Sequence, residues 1–283
     1  MLASIKIFTI FVKELNETVK SNIMENYTIT DTNKLKATRF TYSEFVDYAI
    51  NRKKHANCSN ESSKKGSKSF TQTESMEEAI ELARGGYDAG IKQLDLEGGI
   101  LADTGIEFSP SVQGSVVNMQ NYLLGMPDNM FEMKETREYN MPMLTIYVNL
   151  TYTAAVSGRE AMKYAKRVTE YVNKFQSSHN IKLVGLFASK QKKDYVVEVL
   201  IKDFDERFVL NNVAFAFHPS MFRRLWFSHV ESESFWDWGY GSTMGEDKIF
   251  KYCKAHLDGG KGIMLPSLQE HGADFSDKHL KTI

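Results

Sequence analysis

Three side chains with amide or hydroxyl oxygens alternate along one short turn and have the chemistry to bind an ion. Asn149, Thr151 and Thr153 follow the nearly continuous apolar run 143–150, which predicts a buried strand. Oxygens of this kind can hold a hard cation, and the start of the helix that follows can bind an anion. The competing interpretation is that the three residues only guide the chain into that helix, and the pattern favours this simpler role.

A second candidate surface lies in residues 215–240, which hold nine aromatic residues and all three tryptophans of the chain. Arg223 and Arg224 lie among these rings, while Trp236 and Trp238 occupy a loop that also contains glycines. Arginine beside aromatic rings is typical of protein interfaces, and also of surfaces that grip phosphate and stack bases. A third interpretation is that the rings before residue 228 build the core and the two arginines face outward. Arg223, Arg224, Trp236 and Trp238 are the predicted contact site.

The chain offers little support for established kinds of catalysis. It contains no phosphate-binding glycine loop, no G-x-S-x-G elbow and no H-E-x-x-H pair. Two cysteines exclude a disulfide scaffold and a four-thiolate zinc site. Asp203 and Asp205 follow a predicted strand, and we interpret them as a solvated strand end, with acid–base or metal chemistry as the alternative.

Overall composition is that of a folded protein, with 42% hydrophobic residues and a formal net charge of −1. Disorder and a polyanion-binding chain are therefore not indicated. Residues 51–69 carry six basic side chains and one acid among serines, which predicts a solvated linker. The alternative is a basic arm that meets phosphate. No segment reaches the roughly 20 apolar residues of a membrane span.

The elements that must position these residues form three predicted segments. Residues 1–69 hold a leader (1–23), a short helix and the basic linker; residues 70–142 are helical or irregular; residues 143–283 form an α/β domain. In the last segment, apolar runs and helical spacing give the order strand, helix, strand, strand, helix, helix, strand. A buried strand, a long amphipathic helix and another buried strand predict parallel pairing, with ligands beyond the carboxyl ends of the strands.

The strand at 143–150, the turn Asn149–Thr153 and the helix that follows resemble the start of a von Willebrand factor A-type domain. In that family an Asp-x-Ser-x-Ser motif on this turn helps to hold a divalent metal. Asn149, Thr151 and Thr153 stand at the matched positions, so the motif keeps its hydroxyls but loses the carboxylate charge. The resemblance implies a three-layer, mostly parallel, Rossmann-like sheet. It implies no cofactor, with Mg²⁺ as the weaker alternative.

The whole chain is also similar to uncharacterised proteins of bacteriophages and mobile elements, in the segments SMEEAIELARGGYDAG, VVNMQNYLLGMPDNM and FAFHPSMFRRLWF. The hypothesis that follows is a non-enzymatic protein-interaction module, with a phage or host protein as partner. It would work in the host cytoplasm, with a virion-associated location as the alternative, and without membrane contact. The two other hypotheses are a nucleic-acid-associated protein that uses the basic segment with Arg223 and Arg224, and a metal-dependent enzyme that uses Asp203 or Asp205 with the threonine turn.

Overall fold

A computed structural model shows how these segments fold. It describes residues 27–56, 58, 61–94, 106–114, 116–135, 141–176, 178–204, 206–233 and 240–283. The predicted leader, Asp205, Trp236 and Trp238 lie outside the described residues. Within the described ranges, no helix is both long enough and apolar enough to cross a lipid bilayer.

The strands form a sheet of eight and a separate sheet of three. The larger sheet has the order β1-β2-β8-β7-β6-β10-β11, with β9 paired to β7, and the smaller one has the order β3-β5-β4. The strands are β1 (Thr28–Asp31), β2 (Leu35–Thr41), β3 (Ile106–Ser111), β4 (Val116–Val117), β5 (Met130–Glu135), β6 (Met143–Asn149), β7 (Asn180–Lys190), β8 (Asp194–Lys202), β9 (Ser242–Thr243), β10 (Lys261–Met264) and β11 (Lys281–Thr282).

The larger sheet is mixed, so the prediction of a mostly parallel sheet is wrong. The parallel pairs are β2 with β8, β6 with β7, and β6 with β10; the other pairs are antiparallel. The link between β7 and β8 is only three residues long, 191–193, and a link this short joins strands as a hairpin. The long helix between β6 and β7 gives the parallel crossover that the sequence predicted.

Helices lie on both faces of the larger sheet, and one short helix, Met119–Leu123, lies between two strands of the smaller sheet along the chain. They are α1 (Tyr42–Asn51), α2 (Ser62–Lys65), α3 (Lys68–Thr71), α4 (Met76–Glu81), α5 (Asp88–Leu94), α6 (Met119–Leu123), α7 (Gly158–Gln176), α8 (Leu210–Ala216), α9 (Phe227–Glu231), α10 (Glu246–Ala255) and α11 (Leu268–His271). Short π-helical turns at Leu82–Gly86 and Met221–Trp226 and a 3₁₀ turn at Asp277–His279 complete them.

Alternation along the strands builds two cores. On β7, Leu183 and Phe187 pack in the larger apolar cluster with α7, whereas Val184 and Leu186 pack in the smaller cluster with α10. Successive strand residues point to opposite faces, so each strand contributes to both layers. The α/β class and the helices on both faces follow the sequence prediction, and the mixed pairing is the correction.

Residues 1–69 contribute two strands, β1 and β2, that the sequence did not predict. The prediction of a leader, a short helix and a linker for this segment is therefore incomplete. β2 pairs in parallel with β8 and extends the sheet. Its two charged residues are satisfied across the fold: Lys36 Nζ lies 2.7 Å from Glu233 Oε2, and Arg39 Nε lies 2.6 Å from Glu198 Oε2. Buried charge is tolerated in these strands because each charged group has a partner of opposite sign.

Local signals for helix ends agree with the structure. Ser157 Oγ accepts the N–H of Glu160, and Glu160 Oε2 accepts the N–H of Ser157, so the capping box that this spacing predicts precedes α7. Two adjacent glycines predict either close helix packing or a break, and the structure has a π-helical turn with a break at Gly85 between α4 and α5. Gly85 has φ of 133°, a backbone conformation that side-chain-bearing residues rarely adopt.

Two histidines on the α8–α9 segment are buried in the neutral form. His229 stacks on Phe45 at 4.2 Å, and its Nε2 donates to the Phe45 carbonyl at 3.1 Å. Burial holds the pKa of His229 well below its ordinary value, and the nearby Arg52 charge lowers it further. His218 Nδ1 accepts the N–H of Ser220 at 3.1 Å, and burial lowers the pKa of His218 to about 4.

We therefore expect the free energy of unfolding to fall as the pH decreases from about 6.5 toward about 4. In that window the unfolded chain binds protons that the folded chain excludes, and each such histidine contributes about 1.4 kcal/mol per pH unit. Urea unfolding at stepped pH measures this slope. His229→Phe should give a shallower slope than the unsubstituted chain, and an unchanged slope would contradict the role assigned to His229.

Candidate functional site

A cleft of about 600 Å³ opens where β6 and β7 end. These parallel strands finish at the same edge of the sheet, which is where ligands bind in open α/β sheets. The cleft is lined by Ser62, Phe70, Thr151, Tyr152, Thr153, Ala154, Ser189, Phe222, Arg223, Trp226, Phe227, Tyr240, Gly241, Ser242 and Thr243. Among the described residues that line the cleft, none is acidic and Arg223 alone carries a full charge.

The predicted turn reaches this cleft, but two of its oxygens already serve the backbone. Asn149 Oδ1 accepts the N–H of Thr151 at 3.0 Å, and Thr151 Oγ1 accepts the N–H of Ala188 at 2.7 Å. Both side chains are buried. Thr153 is exposed, and its N–H donates to Gln269 Oε1 at 2.9 Å. These bonds hold the turn against β7 and Gln269.

Arg223 is buried beside the cleft and joins two loops. Its Nη1 donates to the carbonyl of Phe70 at 2.7 Å, and its Nη2 donates to that of Val156 at 2.8 Å. Longer bonds from Nη2 reach the carbonyls of Thr153 and Ala154. Burial lowers the pKa of its guanidinium, and no carboxylate among the described residues forms an ion pair with it.

Arg224, the other predicted contact arginine, is fully buried on the opposite side of the same turn. Its guanidinium donates to the Thr73 hydroxyl at 2.7 Å and to the carbonyls of Thr73 and Gly66 at 2.8 and 3.0 Å. Further bonds reach the carbonyls of Ser63 and Lys64. Arg224 thereby fixes residues 63–73 onto the core, and its side chain offers no exposed surface to a partner.

Aromatic rings form one side of the cleft. Phe222 stacks with Trp226 at 5.0 Å, and Tyr240 stacks on Phe227 at 3.5 Å. The Tyr240 hydroxyl donates to the buried Glu231 at 2.5 Å and accepts the N–H of Ser62 at 3.0 Å, which orients its ring. The predicted contact residues Trp236 and Trp238 precede Tyr240 in the chain and lie outside the described residues.

Two hydroxyls and one guanidinium nitrogen at the cleft are buried and have no hydrogen-bond partner among the described residues. They are Ser189 Oγ, Tyr152 Oη and Arg223 Nε. Buried polar groups are nearly always satisfied, and an unsatisfied one costs about 1–3 kcal/mol. Three such atoms on residues that share one cleft distinguish this cleft from an ordinary surface depression.

A second unusual surface is the apolar arm, residues 106–135, which holds β3, β4, β5 and α6. Eight large apolar side chains in it are exposed: Val112, Val116, Val117, Met119, Tyr122, Leu123, Leu124 and Met126. Leu123 is 77% exposed and Leu124 69%. Sequence reasoning missed this surface, although its signal is present: residues 108–127 contain no charged side chain.

The arm is held in shape by its own hydrogen bonds. β5 pairs with both β3 and β4, and the N–H of Asn118 donates to the carbonyl of Asn129 at 2.9 Å. Asn121 Nδ2 donates to the carbonyl of Asp128 at 3.0 Å. The exposed apolar side chains therefore stand on an ordered backbone.

The remaining candidates are engaged in the fold. Glu246, Glu270 and His271 lie close enough to share an ion, but Glu246 accepts the N–H of Ser267 and forms an ion pair with Lys281. No second feature marks this cluster as a metal site. β8 runs antiparallel to β7, so Asp203 follows β8 at the end of the strands opposite to the Asn149–Thr153 turn. It forms an ion pair with Lys182 at 3.2 Å.

The predicted basic linker, residues 51–69, forms two short helices, and several of its charges are paired. Arg52 Nη1 lies 3.2 Å from Glu233 Oε1, and Lys65 Nζ lies 2.6 Å from Glu61 Oε2. Lys68 contacts Glu74 at 2.6 Å. This pairing reduces the positive charge that the segment would present to phosphate.

Comparison with known proteins gives one family. Residues 26–283 match the model described as "Domain of unknown function (DUF7192)". Searches of the curated proteins and of the solved structures found no match.

Proposed function

Because the chain belongs to the DUF7192 family, its own residues must carry the functional argument, and we propose that it is a non-enzymatic protein-interaction module. Its contact surface in this proposal is the apolar arm. The observation that carries the proposal is the set of eight exposed large apolar side chains within residues 112–126. Folded proteins rarely expose so many together unless the surface meets a partner.

The partner in this proposal is another protein with an uncharged, apolar contact surface. Residues 108–127 offer no charge, so they would gain nothing from the phosphates of a nucleic acid. Apolar side chains on an ordered backbone lose little conformational freedom when they are covered, which favours binding. An exposed aromatic residue, Tyr122, lies among them, and tyrosine is enriched where binding energy concentrates.

The two alternative functions have less support. The predicted phosphate contacts Arg223 and Arg224 are buried and donate to backbone carbonyls. Asn149 and Thr151, which would hold a metal, are bound to the turn and to β7. Interaction with another protein is therefore the hypothesis that the described residues favour.

We expect Leu123→Ser to weaken partner binding by about tenfold or more while leaving the melting temperature unchanged. Covering a leucine contributes about 1.5–3 kcal/mol, and about 1.4 kcal/mol is tenfold in affinity. A protein captured from extract of the native cells is identified, purified and titrated against each variant by calorimetry. Val209→Ser is the matched control, because Val209 is also exposed but lies outside the arm.

Equal affinities for Leu123→Ser and Val209→Ser would contradict the assignment of the arm as contact surface. So would binding of nucleic acid or lipid vesicles by the full chain that Leu123→Ser weakens and Val209→Ser does not. Loss of folding in Leu123→Ser would contradict the exposed position of this residue.

A further inference from the structure

We propose that the cleft at the ends of β6 and β7 binds a small organic ligand that carries a flat ring and one anionic group. This site is separate from the apolar arm, and the proposal does not depend on the proposed function. The cleft volume of about 600 Å³ lies in the range of sites that hold drug-sized molecules.

The anionic group follows from Arg223. Its guanidinium is buried, and its described acceptors are neutral carbonyls. Buried charges in proteins are paired, because an isolated charge is costly to remove from water. The described residues that line the cleft include no acid to supply the opposite charge. A carboxylate or phosphate group of a bound ligand would supply it.

The flat ring follows from the aromatic side of the cleft. Phe222, Trp226, Phe227 and Tyr240 line it together. The hydroxyl bonds of Tyr240 to Glu231 and Ser62 hold one of these rings in a fixed orientation before any ligand arrives. Stacking on such rings depends on the flat face of the ligand and tolerates different ring chemistries.

Polar atoms of the ligand would meet hydroxyls that have no partner among the residues that the structure describes. Ser189 is buried at the end of β7, and its Oγ forms no hydrogen bond among the described residues. Tyr152 Oη and Arg223 Nε are likewise buried and form no hydrogen bond among the described residues. A chain that leaves several polar atoms unsatisfied at one cleft loses stability there, and a ligand that bonds to them recovers it.

The test uses the full chain and ring-bearing anions with matched compounds. Adenosine 5′-monophosphate, uridine 5′-monophosphate and indole-3-acetate are compared with neutral adenosine, uridine and indole-3-acetamide, and with ribose 5-phosphate and acetate, which lack a flat ring. Ligand-observed NMR and calorimetry measure binding. We expect at least one anion with a flat ring to bind with Kd below about 1 mM, about tenfold more tightly than both its neutral counterpart and the counterpart that lacks the flat ring.

Ser189→Ala separates a binding role from a structural one. We expect it to weaken that ligand by about fivefold and to keep or raise the melting temperature, because it removes an unsatisfied hydroxyl. Ser69→Ala, an exposed serine outside the cleft, should change neither quantity. Leu123→Ser should leave ligand binding unchanged, which separates this site from the arm. Absence of binding by all ring-bearing anions, equal binding of neutral counterparts, or wild-type affinity in Ser189→Ala would overturn the proposal.

Discussion

The substitution Val168→Asp is expected to unfold the chain. Val168 is fully buried on α7, in the same apolar cluster as Ile146 of β6 and Leu183 of β7. An aspartate there would place a charge without a partner between the helix and the sheet, at a cost of several kcal/mol. Domains of this kind are stable by about 5–15 kcal/mol, so one such change removes much of the total.

Circular dichroism and urea unfolding measure the effect of Val168→Asp. The matched control is Lys163→Asp on the exposed face of the same helix, which introduces the same side chain into water. We expect the control to keep the native spectrum and a midpoint close to that of the unsubstituted chain. An unchanged spectrum and melting curve for Val168→Asp would show that α7 does not pack on the sheet as described.

Arg224→Met is the second substitution with a large expected effect. Methionine fills the space of the side chain but leaves the carbonyls of Ser63, Lys64 and Gly66 without the donors that Arg224 supplies. Each buried group left unsatisfied costs about 1–3 kcal/mol, so we expect a loss of more than about 3 kcal/mol. The segment 63–73 should detach first, because Arg224 supplies bonds to several of its carbonyls.

Urea unfolding gives the total loss for Arg224→Met, and hydrogen exchange locates it. Residues 63–73 should lose amide protection, while β6 and β7 keep theirs under native conditions. Arg159→Met is the control, since Arg159 is exposed at the start of α7 and should tolerate the change. Equal stability of the two variants would mean that Arg224 is a surface residue, as a contact site would require.

The sequence predicted the elements whose patterns are local. The apolar run 143–150, the three- and four-residue spacing of α7 and the short link between β7 and β8 each identify a strand, a helix or a hairpin from neighbouring residues alone. The α/β class follows from their order. The paired glycines gave the break between α4 and α5 for the same reason.

β2 could not be found in this way because its charged residues are satisfied by distant parts of the chain. Lys36 pairs with a glutamate 197 residues away, and Arg39 pairs with one 159 residues away. In isolation the segment LKATRFT reads as polar, since nothing local shows that its charges are neutralised. The same dependence on distant partners explains why the parallel pairing of β2 with β8 was not predicted, since it has no signal in either strand.

The residues of the candidate sites also divide into those that the sequence could single out and those that only the structure reveals. Thr151, Thr153 and Arg223 were singled out by type, and the structure brings them together at one cleft. Ser189 and Tyr152 had no sequence signal, because an unsatisfied hydroxyl becomes visible only when its surroundings are known. The apolar arm was missed for another reason. Its residues read as irregular structure, and exposure of apolar side chains cannot be seen in their order along the chain.

The most direct test of the proposed function is photocrosslinking from the arm. The photoreactive residue p-benzoylphenylalanine replaces Tyr122 in the full chain, and in a second variant replaces the exposed Val209 outside the arm. After irradiation in the native cells, we predict that position 122 yields a covalent adduct with a different protein and that position 209 does not. Adducts confined to a second copy of this chain or to lipid, or no adduct from position 122, would contradict the account.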